Sequence, residues 1–353
     1  MSEHKYPYEW TLKDANFTKD KGTVFSCFSC GGGSTMGYKL AGFDVIGCCE
    51  IDPKMIEVYI QNHNPKYPFL EGIQEFAERD EYPEELYNLD ILDGSPPCSS
   101  FSMAGSREKG WGEEKKFREG QADQVLDTLF FDFIKLAKKL QPKVVIAENV
   151  KGLLLGDAQS YVNDILLALD DAGYKTDYKL LNASKMGVPQ RRERVFFHAI
   201  RKDLTHETTD LFGDRPRLDL EFNEAPIIFS ELADYQGAPI NDFKKQAWDH
   251  RLPSDTSISD SKERAGMKVS DFNTCYVFDH KVMQTVTGKG EKGSLLFSKP
   301  IHLSKTETCK IGSYPLDYQF GKDWGYMIGM SVPPIMTAHV ADAVHDQWLK
   351  PNK

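Results

Sequence analysis

Apolar residues in the first two hundred positions alternate between two patterns. Short runs that are almost wholly apolar, such as Val144 to Ala147, are typical of buried strands. Longer stretches repeat apolar residues every three or four positions, as amphipathic helices do. The patterns predict strands at 22–29, 43–51, 89–92, 143–148, 178–181 and 195–200, and helices ending at 40 and spanning 53–63, 124–140 and 162–172. This alternation predicts an α/β fold, a mostly parallel sheet with helices on both faces and ligands at the carboxyl ends of its strands.

The periodicity weakens after residue 202. Residues 203–295 are rich in Asp, Lys, Ser, Thr and Pro, which favours an irregular second domain. Near the end the chain becomes apolar again, and Pro333-Pro334 introduce a helix reaching Trp348. We therefore predict a first domain at 1–202, a second at 203–321, and a segment at 322–353 that returns to the first domain.

Composition narrows the class of protein. The chain has 353 residues, 40% hydrophobic and 27% charged, as in ordinary globular proteins. The net charge of −10 argues against non-specific coating of nucleic acid, although the segment 185–202 is locally basic. Seven cysteines scattered through a long chain favour a reducing compartment, and no apolar run is long enough to cross a membrane. We expect a cytoplasmic protein without a signal peptide.

The segment 93–102 is the most informative. It follows an apolar run, and Pro96 and Pro97 make the chain stiff immediately before Cys98. A stiff loop at the end of a buried strand suits a nucleophile. The alternative is a small buried cysteine in a turn.

Two further strand ends carry candidate chemistry. A glycine-rich turn at 28–37 follows the first strand, and Glu50 ends the next one, which suits a carboxylate that binds ribose hydroxyls. The alternative is a plain turn, since the sequence lacks the G-x-G-x-x-G fingerprint. Glu148, after the apolar run at 144–147, is either a capping acid or an active-site acid.

A third group of candidate functional residues contains two arginines. Gln190, Arg192 and Arg194 alternate along an extended segment, so we expect them to share one face. Guanidinium groups on one face suit phosphate or carboxylate partners, although a solvated charged surface is the alternative.

In this order the motifs resemble the DNA (cytosine-5)-methyltransferase family. The resemblance covers roughly residues 22–202 and 284–348, and its motifs are Phe28-Ser29-x-Gly-Gly-Gly, Glu50, Pro97-Cys98, Glu148-Asn149-Val150, Gln190-x-Arg-x-Arg and the terminal Ile328-Gly-x-x-Val-Pro-Pro. It implies the Rossmann-like fold of S-adenosylmethionine-dependent methyltransferases. Residues 1–202 would be the catalytic and cofactor-binding domain, and 203–321 the target-recognition domain with its connection.

The resemblance also implies a mechanism. The thiolate of Cys98 would add to C6 of a flipped-out cytosine and activate C5 for methylation. Glu148 would hold N3 and the exocyclic amine, while Arg192 and Arg194 would position the nucleotide and stabilise charge. Substrate-binding residues would be Pro97, Ser99, Asn149 and Gln190.

For the cofactor, S-adenosyl-L-methionine, the resemblance implies a second set of residues. Phe28, Gly31 and Gly33 would surround its adenosyl and methionine parts, Glu50 would bind ribose, and Ile51 would stack on adenine. Ile73, Leu129, Ser331 and Val332 would complete the pocket. Double-stranded DNA is the implied partner, a cognate restriction endonuclease would act on the same site, and we expect a monomer.

The chain departs from the family pattern in several places. Cys30 replaces a usual glycine, Ser26 a frequent aspartate, Ser99 a frequent glutamine and Met330 a usual asparagine. The acid that would hold the adenine amine near Gly72 is missing, and Glu71 or Asp93 would substitute. The segment from His302 to Lys310 carries a weakened form of another family pattern.

Three alternatives remain open. One is an RNA cytosine methyltransferase on the same scaffold, and another is a catalytically silent DNA-binding homologue. The third is a zinc site formed by Cys27, Cys30, Cys48 and Cys49. Because these cysteines lie within and beside the cofactor loop, we interpret them as buried small side chains and expect no metal.

Overall fold

A computed structural model of the protein describes residues 4–97, 114–115, 124–125, 128–156, 158–205, 218–269 and 274–350. The chain packs into two compact units. Asn16–Leu181, Glu193–Glu221 and Thr337–Lys353 form the sheet unit, and Met1–Ala15, Asn182–Arg192 and Phe222–Met336 form the mixed unit. These limits differ from the predicted boundaries at 202 and 321. The assignment of functions to the segments remains a prediction.

The elements are short and closely spaced. The strands are β1 (Thr23–Cys27), β2 (Asp44–Glu50), β3 (Tyr67–Leu70), β4 (Ile91–Gly94), β5 (Glu114–Lys115), β6 (Gln124–Val125), β7 (Val144–Val150), β8 (Tyr174–Asn182), β9 (Gln190–Arg191), β10 (Glu193–Arg201), β11 (Cys275–Val277), β12 (Met283–Gln284) and β13 (Ser294–Leu296). The helices are α1 (Gly33–Leu40), α2 (Pro53–His63), α3 (Ile73–Glu78), α4 (Leu129–Leu140), α5 (Ala158–Asp171), α6 (Asp242–Asp249), α7 (Ile258–Arg264), α8 (Lys305–Ile311), α9 (Trp324–Met330) and α10 (Pro334–Val344).

One seven-stranded sheet organises the sheet unit, in the order β3-β2-β1-β4-β7-β10-β8. The pairs β2–β3, β1–β2, β1–β4 and β4–β7 are parallel, and β10 runs antiparallel to β7. The predicted mostly parallel sheet is confirmed. Its parallel strands end together at one edge, where ligands bind in folds of this class.

Helices cover both faces of this sheet. Cys48 and Cys49 are neighbours in β2 and therefore point to opposite faces. Cys49 packs in the large core that contains residues of α3, α4 and α5, whereas Cys48 packs with Ile56 and Tyr59 of α2. In the terminal segment, Trp348 lies beside His198 of β10, with their rings 5.8 Å apart.

The predicted helix at 124–140 is too long at its start. Gln124 and Val125 pair with β5 instead, and the helix begins at Leu129. Apolar spacing alone continues through Val125, but strand pairing, which is a tertiary interaction, overrides it. The strand predicted at 178–181 is also longer and covers nine residues.

Among its described residues, the mixed unit has small elements and at least two small cores. Its strands form two parallel pairs, β11 with β13 and β12 with β9. Packed residues such as Phe229 and Leu296 form one core, and Ile258 and Tyr276 belong to the other. Weak periodicity in the sequence therefore corresponds to short elements joined by long connections. Within the described residues no helix has the length and apolarity needed to cross a membrane.

Candidate functional site

Glu148 and Arg194 form a buried ion pair at the carboxyl end of β7. Antiparallel pairing places Arg194 opposite Val150 and Phe196 opposite Glu148. The Arg194 Nε lies 2.8 Å from the Glu148 Oε1, and the two side chains are 15% and 11% exposed. Burial lowers the pKa of Arg194, and the charge of Glu148 opposes that change. The pairing leaves Glu148 with a second carboxylate oxygen that can bind a ligand.

Asn149, the next residue, holds the loop that leads to the candidate nucleophile. Its Nδ2 donates a hydrogen bond to the Pro96 carbonyl at 3.2 Å, and its Oδ1 accepts one from the Val150 amide at 2.8 Å. Pro97, which follows, is half-buried. The end of β7 therefore supports the proline loop directly. Cys98 and Ser99 lie outside the described residues.

Close packing explains the glycine that ends β4. A Cβ on Gly94 would lie 2.6 Å from the Phe133 ring of α4. The same ring lies 6.4 Å from the Phe28 ring, measured between centroids. Leu129, at the start of α4, is buried. Gly94 thus allows the strand that carries the proline loop to approach α4.

The glycine-rich turn after β1 has an unusual backbone. Cys30 has a φ of 48°, in the left-handed region that glycine adopts most easily, and Gly32 has a φ of 91°. The Cys30 amide donates to the Glu50 Oε2 at 2.7 Å, and the Asp52 amide donates to the Glu50 Oε1 at 2.9 Å. Burial raises the pKa of Glu50, and these backbone hydrogen bonds oppose the rise. Glu50 therefore ties the turn to the end of β2.

The residues around this turn have the chemistry that a nucleoside cofactor needs. Backbone amides occupy part of the acceptor capacity of Glu50, and its carboxylate retains a lone pair for a ribose hydroxyl. Gly31 and Gly33 are buried and add no side-chain bulk, while Phe28 and Ile51 are half-buried. Ile73 is buried at the start of α3. These residues fit the cofactor that the resemblance implies, although their individual roles remain predictions.

Asp93 forms a cluster that the sequence alone did not indicate. Its Oδ2 accepts hydrogen bonds from Ser26 Oγ at 2.7 Å and Ser34 Oγ at 2.9 Å, and its Oδ1 from the Tyr38 hydroxyl at 3.1 Å. Burial raises the pKa of Asp93 to about 6, against the effect of these hydroxyls. A carboxylate inside an apolar strand was the available signal, but its partners depend on strand register.

Glu71, the other acid considered for the adenine amine, is engaged elsewhere. Its Oε2 lies 2.9 Å from the Nε and 2.8 Å from the Nη2 of Arg79. Both candidates for the missing acid thus have protein partners. Which of them contacts a cofactor remains a prediction.

Gln190 and Arg192 contact the backbone of the mixed unit. Arg192 is 1% exposed, and its Nη1 donates to the carbonyls of Val286 at 2.9 Å and Gly329 at 3.0 Å. Gln190 donates to the Ile311 carbonyl at 2.7 Å and accepts from the Val286 amide at 3.3 Å. These two side chains therefore both contact Val286, whereas Arg194, which alternation placed on the same face, pairs with Glu148. Their contacts show a structural function, and a direct part for Arg192 in catalysis remains a prediction.

The terminal motif is also held by hydrogen bonds inside the mixed unit. Ser331 Oγ accepts from the Tyr314 hydroxyl at 2.7 Å and donates to the Met327 carbonyl at 2.7 Å. Val332 is buried, whereas Met330 is 38% exposed. The backbone at this motif is therefore well supported, and its contact with a cofactor remains a prediction.

The cysteines near the glycine-rich turn are mainly packing residues. Cys27, Cys48 and Cys49 are buried, and burial raises the pKa of all three thiols, that of Cys48 to about 12. Zinc binds thiolates, which these conditions disfavour. No group of three or more His, Cys, Asp or Glu side chains suited to a metal ion occurs among the residues that the structure describes.

The chain matches the family model for C-5 cytosine-specific DNA methylases over residues 22–346, and it belongs to that family. S-adenosylmethionine is the methyl donor of the family. The sequence is 39% identical to Type II methyltransferase M.FnuDI of Fusobacterium nucleatum over 181 residues, which cover 51% of this chain and 47% of that protein. It is 35% identical to Type II methyltransferase M.NgoPII of Neisseria gonorrhoeae, over 51% and 48% of the two chains. The chain spans about half the length of these curated relatives.

Solved structures support the fold. Spodoptera frugiperda DNMT2 superposes with a TM-score of 0.62 at 16% identity, covering 92% of this chain and 99% of that one. A DNA modification methyltransferase from an Escherichia coli prophage gives 0.62 at 19% identity, covering 94% and 99%. At these identities the likeness concerns the fold alone.

Proposed function

We propose that this protein is a DNA (cytosine-5)-methyltransferase that methylates C5 of a flipped-out cytosine within a specific DNA sequence. The main observation that supports this proposal is the ion pair between Glu148 and Arg194. It places a buried carboxylate, oriented by a guanidinium at 2.8 Å, on the strand whose next residue holds the loop before Cys98. Family membership supplies the reaction to which such a carboxylate is suited.

In the proposed mechanism the acid and the nucleophile act on opposite parts of the ring. Glu148 accepts a hydrogen bond from the exocyclic amine of cytosine and, in its protonated form, donates its proton to N3, which draws electron density from C6. The Cys98 thiolate adds to C6 and makes C5 an enamine carbon that accepts a methyl group. Loss of the C5 proton and departure of the thiolate restore the aromatic ring. Arg194 keeps Glu148 oriented and offsets the charge that develops.

The cofactor would lie at the carboxyl ends of β1 and β2. When bound, S-adenosylmethionine supplies a methyl group on a positively charged sulfonium. Glu50 would accept hydrogen bonds from the ribose hydroxyls, and the Phe28 ring would face the sulfonium, a favourable cation–π arrangement. Gly31 and Gly33 would let the backbone approach the ligand closely.

Covalent trapping tests the proposal. DNA containing 5-fluorocytosine blocks loss of the C5 substituent, so the wild type should remain bonded to DNA after methyl transfer. Cys98→Ala should give no adduct and no transfer while still binding DNA and cofactor. Cys275→Ala, a half-buried cysteine of the mixed unit, serves as the control and should trap normally. An adduct that persists in Cys98→Ala would show that another group is the nucleophile.

Sequence specificity and partners form a finer part of the proposal. We assign recognition of the DNA site to about residues 203–295, because base-edge contacts carry sequence information and phosphate contacts do not. Grafting this segment into a relative should transfer the methylated site. Two relatives are named Type II methyltransferases, which supports a cognate restriction endonuclease for this protein as well. That endonuclease should fail to cut DNA from cells expressing this protein. We further propose a cytoplasmic monomer.

The same assays separate the alternatives. An RNA cytosine methyltransferase would incorporate methyl groups into transfer RNA and not into DNA. A silent DNA-binding homologue would bind DNA but give neither transfer nor a trapped adduct. Sequencing DNA from expressing cells for 5-methylcytosine would also report the recognised site.

A further inference from the structure

Asp93 connects three segments of the sheet unit. It lies on β4, one residue before the glycine that ends the strand. Its side chain binds Ser26 on β1, Ser34 in the first turn of α1, and Tyr38 one turn later. In the structure the glycine-rich turn is the segment between β1 and α1, residues 28–32, so Ser26 lies before it and Ser34 lies after it. The carboxylate therefore spans the two sides of that turn.

The electrostatics of the cluster make it specific for a carboxylate. Asp93 is 4% exposed and, among the described residues, forms no ion pair with a Lys, Arg or His side chain. Its stabilisation comes from three hydroxyl donors, two of which converge on Oδ2. An amide in the same place would present an NH₂ group to one or two of these hydroxyls, which would then have to turn and accept instead of donate.

Strand register places the cluster between two functional loops. Ser26 and Asp93 are direct neighbours in the parallel pair β1–β4, as are Cys27 and Gly94. After these residues, β1 continues into the glycine-rich turn and β4 into the Pro96–Pro97 loop. A shift of one strand against the other would move both loops.

We propose that Asp93 is a positioning residue that holds the glycine-rich turn and the first turn of α1 against β4, and thereby sets the affinity for the methyl donor. This inference rests on the proposed function, since it assumes that the turn binds the donor. In this proposal Asp93 acts through Ser26, Ser34 and Tyr38 and is not the acid that would bind the adenine amine. Its contribution should therefore appear in cofactor affinity and not in DNA affinity.

A matched pair at the other end of the same strands provides the control. Asp90 precedes β4, and its Oδ2 accepts from the Thr23 amide at 2.8 Å. Its Oδ1 lies 2.7 Å from the Lys143 Nζ. Asp90→Asn therefore also weakens a carboxylate contact between β1 and β4, but at the amino ends of the strands, away from the glycine-rich turn.

The experiment measures dissociation constants for S-adenosylhomocysteine and for DNA in purified full-length protein. Asp93→Asn should weaken binding of S-adenosylhomocysteine at least tenfold and leave DNA affinity within about twofold. Asp90→Asn should leave both affinities within about twofold. Equal cofactor affinity in Asp93→Asn and wild type, or an equal loss in Asp90→Asn, would overturn the proposal.

Two milder variants keep the test valid if Asp93→Asn does not fold. Ser34→Ala and Tyr38→Phe each remove one hydroxyl donor, and each should weaken S-adenosylhomocysteine binding about threefold or more. Normal affinity in both would overturn the positioning role. Failure of the wild type to bind S-adenosylhomocysteine at all would instead refute the proposed function.

Discussion

Glu148 and Asp93 are buried carboxylates on neighbouring strands, and the protein stabilises them differently. Asp93 lies beside Ile146 in the parallel pair β4–β7, so Glu148 lies two residues further along its strand. The positively charged guanidinium of Arg194 lies 2.8 Å from the Glu148 carboxylate. Among the described residues Asp93 has hydroxyl partners alone, and burial raises its pKa to about 6.

The difference indicates two uses of a buried acid. A guanidinium partner compensates the cost of burying a charge and still leaves carboxylate lone pairs for a substrate. Hydroxyl donors compensate less, so the acid retains a proton more readily, but they fix its position from three directions. We infer that the first arrangement suits chemistry and the second suits positioning.

Removing the charged partner should have the largest effect. Arg194→Ala leaves Glu148 buried without a cation, and we expect a loss of about 3–5 kcal/mol in the free energy of unfolding. Lys151→Ala is the control, because Lys151, the residue after β7, pairs with Glu193 at the start of β10 at 2.9 Å on the surface. That exposed pair should contribute less than about 1 kcal/mol. Equal losses in a urea titration of the two variants would contradict the distinction.

Asp93, the acid bound by hydroxyl groups, should make the stability of the protein depend on pH. Because the folded-state pKa of Asp93 is raised from 3.8 to about 6, its contribution to stability is fully present below about pH 4 and is lost as pH rises to about 6. Asp93→Asn cannot titrate. The stability of the variant relative to wild type should therefore rise by roughly 2 kcal/mol between pH 4 and 6.5 and change little above that. A pH-independent difference would show that Asp93 titrates normally.

Neutralising the charged acid should mainly affect the reaction. Glu148→Gln keeps the size of the side chain but cannot donate a proton to N3 in the same way, and we expect methyl transfer to slow about 10²-fold. Glu193→Gln, on the neighbouring strand and half-exposed, should react at the wild-type rate. Single-turnover measurements separate this step from binding. An unchanged rate in Glu148→Gln would assign Glu148 a structural role.

The smallest effect concerns the turn that the Asp93 cluster supports. Cys30 has a φ of 48°. In this left-handed region the Cβ of a residue other than glycine is strained, whereas glycine has no Cβ and is not. Cys30→Gly should therefore stabilise the protein by about 0.5–1 kcal/mol. Cys30→Ala retains the Cβ and removes the sulfur that lies 3.6 Å from Met55 Sδ, so it should not stabilise. A loss of stability in Cys30→Gly would show that the sulfur contact outweighs the strain.

Local sequence determined the elements and much of the family assignment. The helix predicted at 53–63 matches α2, because Pro53 begins it and Asp52 accepts hydrogen bonds from its first amides. Nearly continuous apolar runs located β1, β2, β4 and β7, since strands buried on both faces need apolar side chains at every position. The motifs then followed from residues that stand at the ends of these strands. Such signals lie within a few residues of one another, so the chain alone contains them.

The tertiary structure determined the contacts between residues that are far apart in the chain. Arg192 is held by carbonyls 94 and 137 residues away, although its neighbour Arg194 pairs with Glu148. Asp93 meets Ser26 only through the register of two strands that lie 67 residues apart in the chain. Partners at such separations are chosen by packing and strand register, because a hydrogen bond between them forms only once the sheet has brought them together.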